Sequence, residues 1–235
     1  MNKLLIVTGG TKGIGKSIIE RFASSGFDVM TCARNEEELR ELKERVELSN
    51  KGVSINVFRA DLSDKQQTLA FIDFIHSSGR QTDVLVNNAG VFFPGQINNE
   101  EEGVFEKSME TNVNSAYHIT RGVLKGMMDR GSGHIFNICS VASIEPYVRG
   151  ASYCISKFAL LGMSKVLREE MKEYGIKVTA VIPGSTFTTS WENAEIPEEE
   201  FMKAEDIAKS IFDVYSLSSQ TVVEEIIMRP QKGDL

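Results

Sequence analysis

The sequence predicts a single α/β domain built on a doubly wound, seven-stranded parallel sheet with helices on both faces. Three observations predict it. Short β-rich apolar runs alternate with longer amphipathic stretches along the 235 residues, the pattern of successive βαβ units. The runs at 4–7, 84–86 and 178–182 are nearly continuous in apolar residues, as expected for strands covered on both sides. No Pro-, Gly- or Ser-rich linker divides the chain and no repeat recurs, so residues 1–235 are read as one domain.

The first strand, 3–8, is Lys3-Leu4-Leu5-Ile6-Val7-Thr8, stopped by Gly9-Gly10, and a helix follows over 13–25. The second strand, 28–33, leads into a charge-rich helix at 36–49 whose Glu36–Arg40 and Glu41–Arg45 spacings are i,i+4. Such pairs support an exposed helix, and this one is read as a solvated face. A third strand at 53–59 and a helix at 64–77 come next, then a strand at 83–87. A long helical stretch over 100–129 is expected to break around Asn112. The strand 133–139, helix 152–173, strand 176–182, helix 204–215 and strand 221–228 complete the pattern. The five prolines, 94, 146, 183, 197 and 230, all fall outside these helix interiors, where proline would cost a backbone hydrogen bond.

Composition narrows the function. With 41% hydrophobic and 25% charged residues the chain reads as an ordinary globular protein;. Lys+Arg 26 against Asp+Glu 33 leaves a net charge of −7, so nucleic acid, which needs a basic footprint, is not expected as a partner. The apolar run at 4–7 is shorter than the ~7–15 residues of a signal-peptide core, and nothing approaches the ~18 of a membrane span. A cytoplasmic protein with no membrane partner is expected. Cys32, Cys139 and Cys154 are scattered in apolar stretches and read as packing residues, and His76, His118 and His134 share no ligand spacing. No metal site is expected.

Thr8-Gly9-Gly10-Thr11-Lys12-Gly13-Ile14-Gly15 links the first strand to the first helix. Glycines let a backbone turn tightly beside a pyrophosphate, and the helix N-terminus presents free N–H groups to it. The spacing T-G-x-x-x-G-I-G is joined by Asp61-Leu62 after the third strand and Asn87-Asn88-Ala89-Gly90 after the fourth. Asn112, Ser140, Tyr153-Cys154-Ile155-Ser156-Lys157 and Pro183-Gly184 follow, then Thr188. The gaps Asn112 to Ser140, Ser140 to Tyr153 and Tyr153 to Lys157 are 28, 13 and 4. In this ordered set the chain resembles the short-chain dehydrogenase/reductase family, of the NADPH-preferring carbonyl-reductase type, over essentially its full length.

That resemblance implies a Rossmann-type fold and four catalytic residues, Asn112, Ser140, Tyr153 and Lys157. Reducing a ketone with a nicotinamide needs a hydride on carbon and a proton on oxygen, and the protein must supply the proton donor. Tyr153 and Lys157, four apart at a helix start, project from one face. A free tyrosine titrates near ~10, too high to cycle readily at neutral pH, and a nearby ammonium stabilises its phenolate. Ser140 can hydrogen-bond the substrate oxygen as charge develops. The resemblance implies that Asn112 interrupts a helix and holds a water connecting the lysine to solvent. It also implies cofactor contacts from Gly9, Thr11, Lys12, Gly13, Ile14 and Gly15, from Asn88, Ala89 and Gly90, and from Tyr153, Lys157, Pro183, Gly184, Thr186 and Thr188. Asp61 would take the adenine amino group, with Leu62 packed on the ring.

The cofactor is expected to be NADP(H). An NAD site usually carries an acidic side chain at the end of the second strand. Here that strand ends Cys32-Ala33-Arg34-Asn35, and Arg34 can fork onto a 2′-phosphate. Lys12 would lie on the same side. The partner is a small carbonyl or alcohol substrate, entering under a short acidic lid at about 185–203 with Trp191 as its one large anchor and Glu192, Glu195, Glu198, Glu199 and Glu200 around it. Phe92, Phe93, Pro146 and Tyr147 are further pocket candidates. A broad carbonyl reductase, close to the sepiapterin-reductase-like branch, is the first reading. A 3-oxoacyl-carrier-protein reductase is the second: Arg130 suits an acidic carrier, but Glu169-Glu170-Met171-Lys172-Glu173-Tyr174 should repel one. A non-catalytic NADP(H) sensor is the third, and it has no need of the intact Asn112–Ser140–Tyr153–Lys157 set. Apolar Met127, Met128, Leu160, Leu161 and Met163 suggest helices pairing across a two-fold axis, giving a homodimer or homotetramer.

Overall fold

The computed structural model describes residues 1–188 and 196–234. In chain order it holds β1 (Leu4–Thr8), α1 (Gly13–Ala23), β2 (Asp28–Ala33), α2 (Glu36–Ser49), β3 (Ile55–Arg59), α3 (Lys65–Ser77) and β4 (Val84–Asn87). Then come α4 (Val104–Met109), a π turn (Glu110–Asn114), α5 (Ser115–Arg130), β5 (Gly133–Ile138), α6 (Ala151–Met171), β6 (Ile176–Pro183), α7 (Ala204–Tyr215) and β7 (Glu225–Met228). Among the described residues the strands form one seven-stranded parallel sheet in the order β3-β2-β1-β4-β5-β6-β7. The order reverses between β1 and β4, and a ligand crevice opens at the C-terminal strand ends of such a switch point.

Alternation along the strands divides the core. Leu5 and Val7 point to the layer of α1, α2 and α7, where they meet Ile18, Phe22, Leu42, Ile207 and Ile211. Leu4 and Ile6 point to the layer of α3, α5 and α6, among Phe71, Ile75, Ile119, Met127 and Leu167. Fully burying a side chain such as Phe22 or Phe71 stabilises by roughly 1.5–3 kcal/mol before ordering entropy is subtracted. Cys32, Cys139 and Cys154 are buried free thiols within this packing, and burial pushes the Cys32 thiol up to about 12.

The differences from the sequence reading are local. The third and seventh strands enter the sheet later, at Ile55 and Glu225. The fourth helical stretch begins at Val104, and it does not break at Asn112: it widens into the π turn and continues. The widening answers a side-chain demand, because Asn112 bonds the backbone of Val91 on both its N–H and its C=O.

The apolar residues suggested for a pairing surface are mostly core. Met127, Leu160 and Leu161 are buried, while Met128 and Met163 pack against the clusters beneath them. Helical register turns other residues outward: Phe105 and Tyr117 on α4 and α5, and Ile155, Phe158 and Val166 on α6.

Candidate active site

The glycine turn is shaped by what surrounds it. Gly9 (φ 67°) and Gly13 (φ 50°) adopt the left-handed region that only glycine enters freely. Gly15 is buried under the turn, where an added Cβ would lie 2.4 Å from the Gly9 carbonyl oxygen and 2.5 Å from Asn88 Nδ2. Thr8 Oγ1 accepts from the backbone N–H of both Asn88 and Ala89, at 2.9 Å each. Asn88 Nδ2 donates back to the carbonyls of Thr8 and Gly9. These bonds tie the ends of β1 and β4 together at the switch point.

Above them lies a cleft of about 440 Å³. Its wall brings together Gly9, Thr11, Lys12, Gly13, Ile14, Arg34, Asp61, Leu62, Asn88, Ala89, Gly90 and Thr188, all expected from the sequence. Tyr153 and Lys157, also expected as cofactor contacts, are not part of that wall, and neither are Gly15, Pro183, Gly184 and Thr186. Thr186 is buried and donates to the Gly184 carbonyl, so Pro183, Gly184 and Thr186 shape the end of β6. The start of α1 has no capping side chain and no acidic residue in its first turn, which leaves its leading N–H groups for an anion. That donor arrangement fits a dinucleotide pyrophosphate.

At the far end of the cleft, Asp61 is fastened by the Ser63 N–H and hydroxyl. Burial opposes its ionisation, yet these bonds, with Arg34 and Lys107 nearby, hold its carboxyl below the usual carboxylate range. Lys107, Val91 and Thr111 also line the cleft, brought there by the loop after β4 and the helix that follows it; no local sequence pattern announced them.

Glu38 is a more consequential addition. The charged helix is not simply a solvated face, and its expected pairs do not form. Arg40 pairs with Glu37 and Glu44, Arg45 with Glu20, and Glu38 reaches Lys12 at 2.9 Å in the cleft wall. Asn35 caps α2, accepting from the N–H groups of Glu37 and Glu38, and its own amide donates to Glu38 Oε1. Asn-x-x-Glu at a helix start is a capping signature that folds the Glu back, so the sequence did carry this signal.

Of the four residues expected to be catalytic, Asn112 and Lys157 lie beside Gly90. A Cβ on Gly90 would sit 3.4 Å from Asn112 Oδ1 and 3.6 Å from Lys157 Nζ. Lys157 is buried, its ammonium donates to the Ile138 carbonyl at 2.8 Å, and it stands 5.7 Å from the Tyr153 ring centre. Asn112 Nδ2 also donates to Ser156 Oγ, joining the π turn to α6. Ser140 Oγ accepts from the Ala142 N–H at 3.1 Å. A hydroxyl has one proton and two lone pairs, so its O–H can still donate to a substrate oxygen. A phenol with an ammonium 5.7 Å from its ring can deliver a proton to a carbonyl oxygen and have the charge left behind stabilised;.

Of the pocket candidates, Phe92 meets Tyr153 edge to face at 5.2 Å. Tyr147 covers Gly150, and burial with Tyr153 nearby raises its phenol above the ordinary value. Within the segment expected to form a lid, Glu198–Glu200 form a short 3-10 turn, and Lys232 pairs with Glu200. Trp191, Glu192 and Glu195 lie outside the described residues.

Comparison with known proteins agrees with this geometry. The sequence profile of the family described as short chain dehydrogenase matches residues 3–199. The chain is 32% identical to a sepiapterin reductase of Chlorobaculum tepidum over all of its own length and 99% of the other. It is 30% identical to a 3-oxoacyl-[acyl-carrier-protein] reductase of Haemophilus influenzae, over 89% of this chain and 88% of that one. A solved metagenomic short-chain oxidoreductase in complex with NADP superposes with a TM-score of 0.85 at 28% identity, over 97% of both chains.

Proposed function

The chain belongs to the short-chain dehydrogenase family, and from that membership we propose that it reduces the carbonyl group of a small ketone or aldehyde with NADPH. The carrying observation is the Lys157 ammonium, which stands beside Gly90 of the cleft wall and 5.7 Å from the Tyr153 ring centre. Bound there, the cofactor supplies hydride to the carbonyl carbon. Ser140 donates a hydrogen bond to the carbonyl oxygen and Tyr153 delivers the proton. Lys157, fixed by Ile138, keeps a positive charge against the phenolate that forms. Lys12 and Arg34 select the 2′-phosphate, and Asn112 holds the loop carrying Val91 against α6.

In this reading residues 1–235 act as one catalytic domain in the cytoplasm, with about 185–203 forming a short lid over the substrate. Tyr117 on α5 and Ile155, Phe158 and Val166 on α6, all exposed, support a homo-oligomer in which these helices pair across a two-fold axis. The Haemophilus influenzae relative supports a second reading, 3-oxoacyl-carrier-protein reduction. Against it, the Arg130 guanidinium is already spent on Thr82, Ser132 and Gln81, and Lys172 is paired with Glu169. A panel of ketones, diketones, pterins and 3-oxoacyl thioesters, with NADPH oxidation followed by absorbance, tests both. Turnover confined to the carrier-linked thioester would overturn the first reading.

A further inference from the structure

Three ionised groups meet at the end of the cleft that leads from β2: Lys12 in the glycine turn, Arg34 after the strand, and Glu38 in the first turn of α2. Ordinary surface ion pairs contribute little, but Glu38 is not ordinary. Its side chain is 27% exposed, it contacts Lys12 at 2.9 Å, and Asn35 Nδ2 donates to the same oxygen at 3.0 Å. Lys12 first, then Thr11 and Asn35, hold its carboxyl below the usual range against the pull of burial. It is therefore an anion at any pH near neutral.

A phosphomonoester carries about two negative charges at neutral pH. Lys12 and Arg34 alone would match it, and Glu38 cancels one of them. To reach a 2′-phosphate, Lys12 must share or leave its carboxylate partner, and the phosphate must approach an anion. A 2′-hydroxyl meets the opposite situation, because a carboxylate accepts its proton. This anion comes from the helix, whereas the strand end itself carries none.

We propose that Glu38 is a cofactor-selectivity residue that restrains the preference for NADPH and lets the same cleft accept NADH. The proposal rests on the reading that this cleft binds a nicotinamide dinucleotide.

Isothermal titration of the wild type, Glu38→Gln and Lys12→Met with NADPH, NADH, 2′,5′-ADP and 5′-AMP tests it without turnover. Glu38→Gln keeps the side-chain length, and the cap survives because Asn35 accepts from backbone N–H groups. Removing one charge a few ångströms from a phosphate in a solvated cleft is worth about five- to tenfold in affinity. Glu38→Gln should tighten NADPH and 2′,5′-ADP by that factor while leaving NADH and 5′-AMP unchanged or weaker. Lys12→Met should loosen NADPH and 2′,5′-ADP. Unchanged or weaker NADPH binding by Glu38→Gln would overturn the proposal and make Glu38 a support for Lys12. Equal tightening of both dinucleotides would also overturn it, as a general field effect. A wild type that binds neither dinucleotide sinks the underlying cofactor reading, which is a separate failure. Melting temperatures of the variants confirm that folding is retained.

Discussion

The Glu100 carboxylate closes on Ser152, accepting its backbone N–H at 3.0 Å and its hydroxyl as well, one residue before Tyr153. The N-terminus of α6 has no cap of its own, since Gly150 stands there. Its first turn is instead gripped from the loop after β4, by Glu100 and by the Gly95 carbonyl, which accepts from the Ala151 N–H. Gly95 has no room for a side chain: a Cβ would meet Glu100 Cγ at 2.4 Å.

Glu100→Ala should therefore loosen the turn that aims Tyr153. Losing hydrogen bonds to an ionised group costs about 1.5–3 kcal/mol, so a fall in melting temperature of roughly 3–10 °C is expected. Turnover should drop more than dinucleotide affinity does. Glu100→Gln, whose amide oxygen still accepts the N–H, should recover most of both. Equal turnover in wild type and Glu100→Ala would remove the clamp from the account.

Arg34→Ala should weaken NADPH roughly ten- to a hundredfold, the worth of one charge-assisted phosphate contact, with little change for NADH. Arg34 is exposed in the cleft wall, so the substitution should not disturb folding. Dissociation constants for the two dinucleotides check it; parallel losses would place the 2′-phosphate elsewhere.

Tyr153→Phe should abolish ketone reduction while dinucleotide binding stays nearly unchanged, because the ring still packs on Phe92. Lys157→Met should stop alcohol oxidation at neutral pH, with residual oxidation only under alkaline conditions, and should weaken the dinucleotide. Rate against pH for both variants is the measurement. Residual kcat of Tyr153→Phe above about a tenth of wild type would mean that the proton has another source.

Stability should fall steeply in mild acid because of His134, a buried residue at the start of β5. Its Nε2 lies 2.8 Å from Thr179 Oγ1, and that hydroxyl gives its only proton to the Val223 carbonyl. Nε2 is therefore the donor, and the buried Nδ1 has no partner. Burial, with Lys177 adding repulsion, depresses this imidazole to about 3 from 6.5. Depression of the folded value means that the unfolded chain takes up the proton first. The stabilisation is present above pH 6.5 and is lost as pH falls towards 3, amounting to about 2 kcal/mol by pH 5. Denaturant unfolding at pH 7 and pH 5 should show this loss, and His134→Gln should remove most of it. Carboxylates such as Asp28, held low despite burial by Ser54, Asn2 and Arg80, lose their share only at lower pH.

Much of this was legible in the sequence because the physics was local. Continuous apolar runs marked the doubly covered strands, and Gly9, Gly13 and Gly15 marked a turn that only glycine tolerates. The Tyr153–Lys157 spacing placed two groups on one helix face. What the sequence hid depended on register or on long-range approach. Leu160 and Ile155 look equally apolar in the chain, and only packing against Cys139 and Ala116 sends one inward and leaves the other exposed. Glu100 and Ser152 are 52 positions apart. Glu38 sat in a run of acids that resembled an ordinary solvated face, although the Asn35 cap already pointed it back.

The π turn at Glu110–Asn114 makes the length of its segment part of the design. Each residue rotates an α-helix by about 100°, so removing one residue between Met109 and Ser115 would swing Ile119, Val123 and Met127 away from the sheet they now cover. Adding one would swing them the other way. Exchanging a side chain there acts at one place, as at Asn112 with its bonds to Val91 and Ser156, but a deletion or insertion would disturb the whole layer at once.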